Sequence, residues 1–382
     1  MIAGLLASIP FAIIATGALV GIAASLLGAF LVLTRTSMLT DAISHSIVFG
    51  IVIVWLLTRQ QSGPVQILGA AATGVLTVVL VEALTRTGRL KNDASIGLVF
   101  PALFSVGVLL LNLYARDVHI DTHTVLLGEI GFVWLDTLAV GGLEVPASLF
   151  WMSLVTLVNL TFVALFYKEL KLATFDRALA ASLGFLPGVL SYALLTLTSV
   201  TAVAAFDAVG AVLFIAFAIV PPATGYLLTD RLWRMIAYGA VVSVAASLLG
   251  YAAATAWNVS IGGMMAVMAG GLLLLAFLFG PRYGLIAQEI RRGGQRRANE
   301  TRALAVHLYN HERSDPSEES LVGALQAHLR WSPERARRVL VRALDQRLVR
   351  REGDRLRLTP AGRGLALEIL APGRATDATV AP

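Results

Sequence analysis

Long runs of apolar residues dominate the chain up to about residue 280. Each run is long enough to supply the roughly 20 residues with which an α-helix crosses about 30 Å of hydrocarbon. A membrane β-barrel would instead show short segments of alternating polarity. The runs predict an all-α polytopic membrane protein with nine spanning helices, at 8–33, 41–58, 64–84, 95–114, 146–167, 184–205, 208–228, 235–257 and 260–280.

The basic residues between the runs predict the orientation of the chain. Nine Lys and Arg residues lie in one set of alternate loops, and the other set holds only Arg59 and Arg116. Because cytoplasmic loops are enriched in Lys and Arg, we expect the amino terminus outside and the carboxyl-terminal tail in the cytoplasm. This parity requires that 121–140 does not cross, so we expect a re-entrant or interfacial segment there. The nine cations are Arg35, Arg86, Arg89, Lys91, Lys168, Lys171, Arg177, Arg231 and Arg234.

The composition changes near residue 291. The last part of the chain, 291–382, contains 18 Arg and no Lys against 11 acidic residues. Such a shift marks a domain boundary. We therefore expect a transmembrane domain at 1–290 and a small basic cytoplasmic domain at 291–382, with a disordered end from about 372.

The periodicity of this tail predicts three helices, a hairpin and a last helix, which is the order of elements in a winged-helix domain. The third helix would open with Ser332 as N-cap and Pro333 at its first position. Its polar face carries four arginines that could contact DNA or another partner. The alternative is a solvated basic face near anionic membrane lipid. The four residues are Arg335, Arg337, Arg338 and Arg342.

Two ionisable residues interrupt the second apolar run. Asp41 and His45 lie four residues apart and would share one face of a helix. A carboxylate and an imidazole on one face can both bind Mn²⁺, Zn²⁺ or Fe²⁺, and ionisable groups at membrane depth mark transport sites. The structural alternative is that Asp41 caps the helix and His45 makes one buried hydrogen bond.

The remaining polar features are less specific. His119, Asp121 and His123 follow the fourth run on the outer side, where they could contact a metal or a delivery protein or simply form a solvated loop. The chain has no cysteine, which excludes thiolate metal sites. It also has no Walker phosphate-binding motif. We therefore do not expect this chain to be an enzyme, and any ATP hydrolysis must occur on another chain.

Several segments, in order, resemble the permease subunits of ABC importers for zinc, manganese and iron. The resemblance covers about residues 8–290. It rests on DAISHSIVFG (41–50), NDASIGLVF (92–100), THTVLLGEI (122–130), KELKLATFDRALAASLG (168–184), AVGAVLFIAFAIVPPATGYLL (208–228) and FGPRYGLI (279–286). Phe49 departs from the pattern, which often has proline before the glycine, and this puts a helix bend there in doubt.

The resemblance implies a homodimer, two cytoplasmic ABC ATPase subunits and an extracytoplasmic metal-binding protein that delivers the ion. It implies that Asp41 and His45 form the metal site in the translocation path. It places Glu169, Phe175 and Asp176 in the segment that couples the permease to the ATPase. No cofactor is expected to be bound permanently, and Mn²⁺, Zn²⁺ or Fe²⁺ would be the cargo.

The tail resembles the winged-helix part of diphtheria-toxin-repressor-like metalloregulators, without their metal-binding module. The favoured function is import of a divalent transition metal across the cell membrane, manganese first and zinc or iron next. Two alternatives are a membrane-tethered winged-helix transcription regulator and a permease for metal chelates such as siderophores. The regulator predicts binding to a defined operator, and the chelate permease predicts that Asp41 and His45 are dispensable.

Overall fold

The computed structural model describes residues 8–59, 64–114, 129–140, 143–311 and 329–370. They fall into two compact units, Met1–Leu285 and Ile286–Pro382. The helices of the first unit are α1 (Ile9–Leu33), α2 (Met38–Thr58), α3 (Pro64–Arg86), α4 (Asn92–Tyr114), α5 (Ala147–Leu165), α6 (Tyr167–Phe175), α7 (Arg177–Ser182), α8 (Pro187–Leu228), α9 (Leu232–Trp257) and α10 (Ile261–Phe279). Eight of these described helices, all except α6 and α7, are long and apolar enough to cross a membrane.

The eight elements contain all nine expected apolar segments, because 184–205 and 208–228 both fall in α8, where two helices are joined across a kink at Gly210. A straight helix of 42 residues would be about 63 Å long at 1.5 Å per residue. Inside α8, however, Gly210 leaves helical geometry, with φ 76° and ψ 168°. Glycine has no Cβ and adopts this conformation at little cost.

The two arms of α8 fold back on each other at Gly210. Leu194, in the first arm, packs in a cluster with Leu26 and Phe30 near the carboxyl end of α1. Ala218 and Pro222, in the second arm, lie against Gly28 in the same part of α1. Since both arms reach the same end of α1, α8 is a helical hairpin and not a rod.

The predicted non-crossing segment contains no spanning helix in the part that the structure describes. Residues 130–132 form a 3₁₀ turn, and two antiparallel strands follow, β1 (Thr137–Val140) and β2 (Leu143–Pro146). Val140 pairs with Leu143, so two residues connect the strands, which is the commonest hairpin length. This hairpin corrects the all-α expectation.

The second unit contains α11 (Leu285–His311), α12 (Pro333–Asp345), β3 (Val349–Glu352), β4 (Arg355–Leu358) and α13 (Pro360–Leu370), with α11 beginning at the boundary. Ser332 caps α12 by accepting a hydrogen bond from the Arg335 amide. The antiparallel β3–β4 pair forms the expected hairpin. The hydrophobic core of the second unit includes Leu304, Leu308, Trp331, Val339 and Leu356. The predicted second helix of the tail and the predicted disordered end lie outside the described residues.

Candidate metal site

The Asp41–His45 pair lies on one face of α2, one turn apart. The Nε2 atom of His45 is 3.5 Å from Oδ1 of Asp41, and the side chains are 44% and 42% exposed. The residues on the other faces of this turn, among them Ile43 and Ser46, are buried. Both polar groups therefore face an accessible surface while the rest of the turn is packed.

The structure does not support the capping alternative for Asp41. The N-cap position of α2 is Ser37, and Asp41 lies in the first turn of the helix. Its backbone carbonyl accepts a hydrogen bond from Ser44 Oγ, and its carboxylate faces His45. Nor is His45 buried, so a single buried hydrogen bond does not account for it.

Two aromatic rings from α4 bracket the imidazole of His45. Phe100 stacks on it with ring centroids 5.8 Å apart, and Phe104 meets it edge-on at 6.2 Å. The two phenylalanines are themselves one helical turn apart and so share a face of α4. Aromatic contacts of this kind restrict the ring to a narrow range of orientations. The contact with His45 was not predicted from the sequence, although the spacing of the two phenylalanines in FPALF (100–104) indicates that they share a helix face.

Replacing Phe100 with leucine is expected to weaken cation binding without removing a ligand. A stacked aromatic pair contributes about 0.5–1.5 kcal/mol, which corresponds to about a twofold to tenfold change in an equilibrium constant. The cation concentration that gives half-maximal binding should rise by this factor, with little change in the maximal amount bound. Leu98→Val, at an exposed position of the same helix, is the control. An unchanged half-maximal concentration in Phe100→Leu would show that the ring does not position His45.

Close backbone contacts hold α2 between its neighbours. A Cβ at Gly50 would collide with the Gly69 carbonyl oxygen and with Thr73 of α3. A Cβ at Gly107 of α4 would come within 2.9 Å of the Phe49 backbone. The helix α2 is continuous through Phe49. These contacts fix the helix that carries both candidate ligands.

The pair is an incomplete coordination shell. Within the described parts of the chain, no group of three or more His, Cys, Asp or Glu residues converges on one point. A transition cation takes four to six ligands. As a metal site, the pair would therefore offer two ligands on an accessible face, and the remaining ones would have to come from water or from other groups.

The candidate coupling residues lie on two short helices, α6 and α7. The helices are joined at Asp176, whose φ and ψ of −147° and 93° are extended and not helical. Phe175 is 62% exposed there. Asp176 is the N-cap of α7, and its Oδ1 accepts a hydrogen bond from the Leu179 amide at 2.9 Å. Glu169 has one buried carboxylate oxygen that accepts no hydrogen bond within the described residues. The structure thus gives Asp176 a local role and leaves Phe175 available to a partner.

The other candidate contacts divide into two groups. His119, Asp121 and His123 lie outside the described residues.

In the tail, Arg335 and Arg342 lie 2.8 Å and 3.7 Å from Glu300 of α11. Arg337 and Arg338 are exposed. The expected cluster of four available arginines is therefore divided, because an internal carboxylate already neutralises part of it.

Comparison with known proteins fits this architecture. The model of the ABC 3 transport family matches residues 8–280. The zinc transport system membrane protein TroD of Treponema pallidum (strain Nichols) is 43% identical over 348 residues, 91% of this chain and 95% of the relative. The manganese transport system membrane protein MntD of Bacillus subtilis (strain 168) is 45% identical over 280 residues, 73% of this chain and 95% of the relative.

A solved structure, PsaBC from Streptococcus pneumoniae in complex with Fab, has a TM-score of 0.59 and 26% identity, covering 71% of this chain and 92% of that one. Fold and relatives together define a membrane permease subunit of a metal importer of the ABC type, a class that is not itself enzymatic and works with ATPase and binding-protein partners. The chain belongs to the ABC 3 transport family. The match to TroD is longer than the membrane domain and so extends into the tail.

Proposed function

We propose that this permease moves a divalent transition cation into the cytoplasm and that Asp41 and His45 bind the cation on its path. The observation that carries the proposal is the 3.5 Å approach of the two side chains on one accessible face of an otherwise buried turn. Hydrolysis of ATP by separate subunits would alternate the access of this site between the two sides of the membrane.

Manganese is the favoured cargo, with zinc and iron next. One carboxylate and one imidazole per chain, without thiolates, suit Mn²⁺ and Fe²⁺ and also accept Zn²⁺. The named transport systems to which this chain is similar carry manganese in one case and zinc in another. The ligand chemistry supports a divalent transition-metal ion as cargo more strongly than it supports manganese, iron or zinc in particular.

The topology in this proposal has nine crossings, with the amino terminus outside and the tail in the cytoplasm. The hairpin at Gly210 supports it, because the two arms of α8 return to the same end of α1. With two crossings in α8, the nine basic residues of the alternate loops stay on one side, as the positive-inside rule requires.

The assembly in this proposal is a homodimer with two ABC ATPase subunits and an extracytoplasmic metal-binding protein. The two-ligand site of one chain supports the dimer, since a second copy could add ligands. The exposed side chain of Phe175, next to the Asp176 cap and on the same helix as Glu169, supports docking of the ATPase. His119, Asp121 and His123 are proposed to face the binding protein or its cation.

The tail is proposed to be a cytoplasmic winged-helix domain that contacts another partner through Arg337 and Arg338. The β3–β4 hairpin after a capped, arginine-rich helix supports this. Arg335 and Arg342 contribute less because Glu300 holds them. DNA, protein and anionic lipid remain the candidate partners, and a salt-dependent affinity for a defined operator would favour DNA.

The first test is the whole-cell content of Mn, Zn and Fe by mass spectrometry. A strain lacking the protein is compared with strains complemented by the wild type, by His45→Ala and by Leu57→Ala, at equal amounts in the membrane. Leu57 is exposed at the far end of α2, so its variant is the matched control. We expect one metal to fall on deletion, to recover with wild type and Leu57→Ala, and to stay low with His45→Ala.

Each other outcome rejects a defined part of the proposal. Full recovery with His45→Ala would make the histidine structural and would favour a chelate as cargo. No change of any metal on deletion would reject metal import and favour the tethered regulator.

A further inference from the structure

A second pair of potential metal ligands lies in the tail. His307 and His311 are four residues apart on α11, and their ring centroids are 4.7 Å apart with planes inclined by 55°. This pair belongs to the second unit, whereas Asp41 and His45 belong to the first. Nothing in the transport mechanism uses it.

The spacing of the two rings fits one shared cation. A tetrahedral zinc–imidazole bond of about 2.0–2.1 Å places each ring centroid about 3.2 Å from the metal, so two such rings have centroids about 5 Å apart. The observed 4.7 Å is close to this value. Histidines at i and i+4 of one helix are also the spacing with which helical zinc sites bind their ion.

The helix α11, which carries the two histidines, packs against the hydrophobic core of the tail. Leu304 and Leu308, on the adjoining face of α11, are buried against Trp331 and Val339. Both histidines are half-buried, so their rings have less freedom than on an exposed helix. A backbone held in this way keeps the two imidazoles near the chelating spacing before any cation arrives, which lowers the ordering cost of binding.

We propose that His307 and His311 chelate a divalent cation of the Zn²⁺ class. Two neutral imidazoles and no carboxylate favour Zn²⁺, Ni²⁺ and Cu²⁺ over Mn²⁺, which prefers oxygen ligands and lies lowest in the divalent affinity order. Water or side chains outside the pair complete the shell. This site is distinct from the transport site and does not depend on the cargo of the permease.

The test uses purified full-length protein in detergent, with Asp41→Ala, His45→Ala, His119→Ala and His123→Ala introduced so that neither the transport site nor the other candidate metal contacts contribute. This background protein is stripped of metal, titrated with Zn²⁺ alone and desalted, and the retained Zn²⁺ per chain is counted by mass spectrometry. His307→Ala, His311→Ala, the double variant and Asn310→Ala are compared. Asn310 is exposed on the same turn and is the matched control.

We expect the background protein and Asn310→Ala to retain one Zn²⁺ that both single variants and the double variant lose equally, because a chelate requires both rings. A tenfold excess of Mn²⁺ should not displace this Zn²⁺. Undiminished Zn²⁺ in the single variants, or losses that add up to the loss in the double variant, would overturn the proposal.

A second measurement leaves both histidines in place, so it does not depend on the folding of the variants. Cu²⁺ bound to the background protein should give an electron paramagnetic resonance spectrum with coupling to two imidazole nitrogens. Coupling to one nitrogen or to none would contradict a shared site.

Discussion

Replacing Gly28 with leucine is expected to prevent the permease from accumulating as folded protein. A Cβ at this position would overlap the carbonyl oxygen of Ala218 and come within 2.9 Å of its carbonyl carbon and 3.2 Å of Pro222. The obstacle is helix backbone, which cannot rotate away as a side chain can. Adding atoms to a well-packed core typically costs about 1–3 kcal/mol, and here we expect a larger cost because α1 and the second arm of α8 must separate.

The measurement is the amount of folded protein in the membrane and its thermal stability in detergent. Gly271→Leu is the matched control, since nothing lies within 4 Å of a Cβ there, on α10. The Gly28 variant should be nearly absent or unfold at a much lower temperature, while the Gly271 variant behaves as wild type. Equal stability of the two variants would mean that α1 and α8 are not in contact as described.

The spanning helices were largely predictable because the membrane imposes one simple rule. A run of about 20 apolar residues must form a helix to satisfy its backbone in hydrocarbon. The expected 8–33 and 41–58 correspond to Ile9–Leu33 and Met38–Thr58. Two local features of the tail were also predictable from the sequence. Ser332 is the N-cap of α12, and a turn at Gly353 separates β3 from β4.

The β1–β2 hairpin was not predicted, although the sequence contains a signal for it. Gly141-Gly142 stands between TLAV and LEVP, and a two-residue glycine turn between such segments is a strong hairpin pattern. Hydropathy over the length of a span does not reveal a hairpin, because it only distinguishes segments that can cross a membrane from segments that cannot.

Other features depend on contacts that no local pattern specifies. The two arms of α8 were expected as separate helices, and only their joint packing on α1 shows a hairpin at Gly210. Asp41 and His45 were identifiable from their spacing, but the rings that bracket His45 come from α4, more than fifty residues later. The neutralisation of Arg335 by Glu300 likewise joins residues that are distant in sequence.

Phe175→Ala is expected to abolish uptake while leaving the permease folded and able to bind the cation. The side chain is 62% exposed and contributes little to the core, so its removal should not destabilise the fold. In an interface, an aromatic anchor of this kind contributes about 2 kcal/mol or more, which corresponds to about a 30-fold loss of affinity. Phe175 is the last residue of α6 and directly precedes the Asp176 cap of α7, so the two helices would present its ring to a partner in a fixed direction.

The measurement combines copurification of the ATPase subunit with cellular uptake. Trp151→Ala, which removes a similarly exposed aromatic ring from the spanning helix α5, is the control and should keep both. Asp176→Asn retains an oxygen that can cap α7, whereas Asp176→Ala loses it, at a cost of about 0.5–2 kcal/mol. If Asp176 acts only as a cap, Asp176→Asn should behave as wild type, and Asp176→Ala should lower stability more than it lowers coupling.

If Phe175→Ala copurifies with the ATPase and imports metal as wild type does, the docking surface lies elsewhere on the chain.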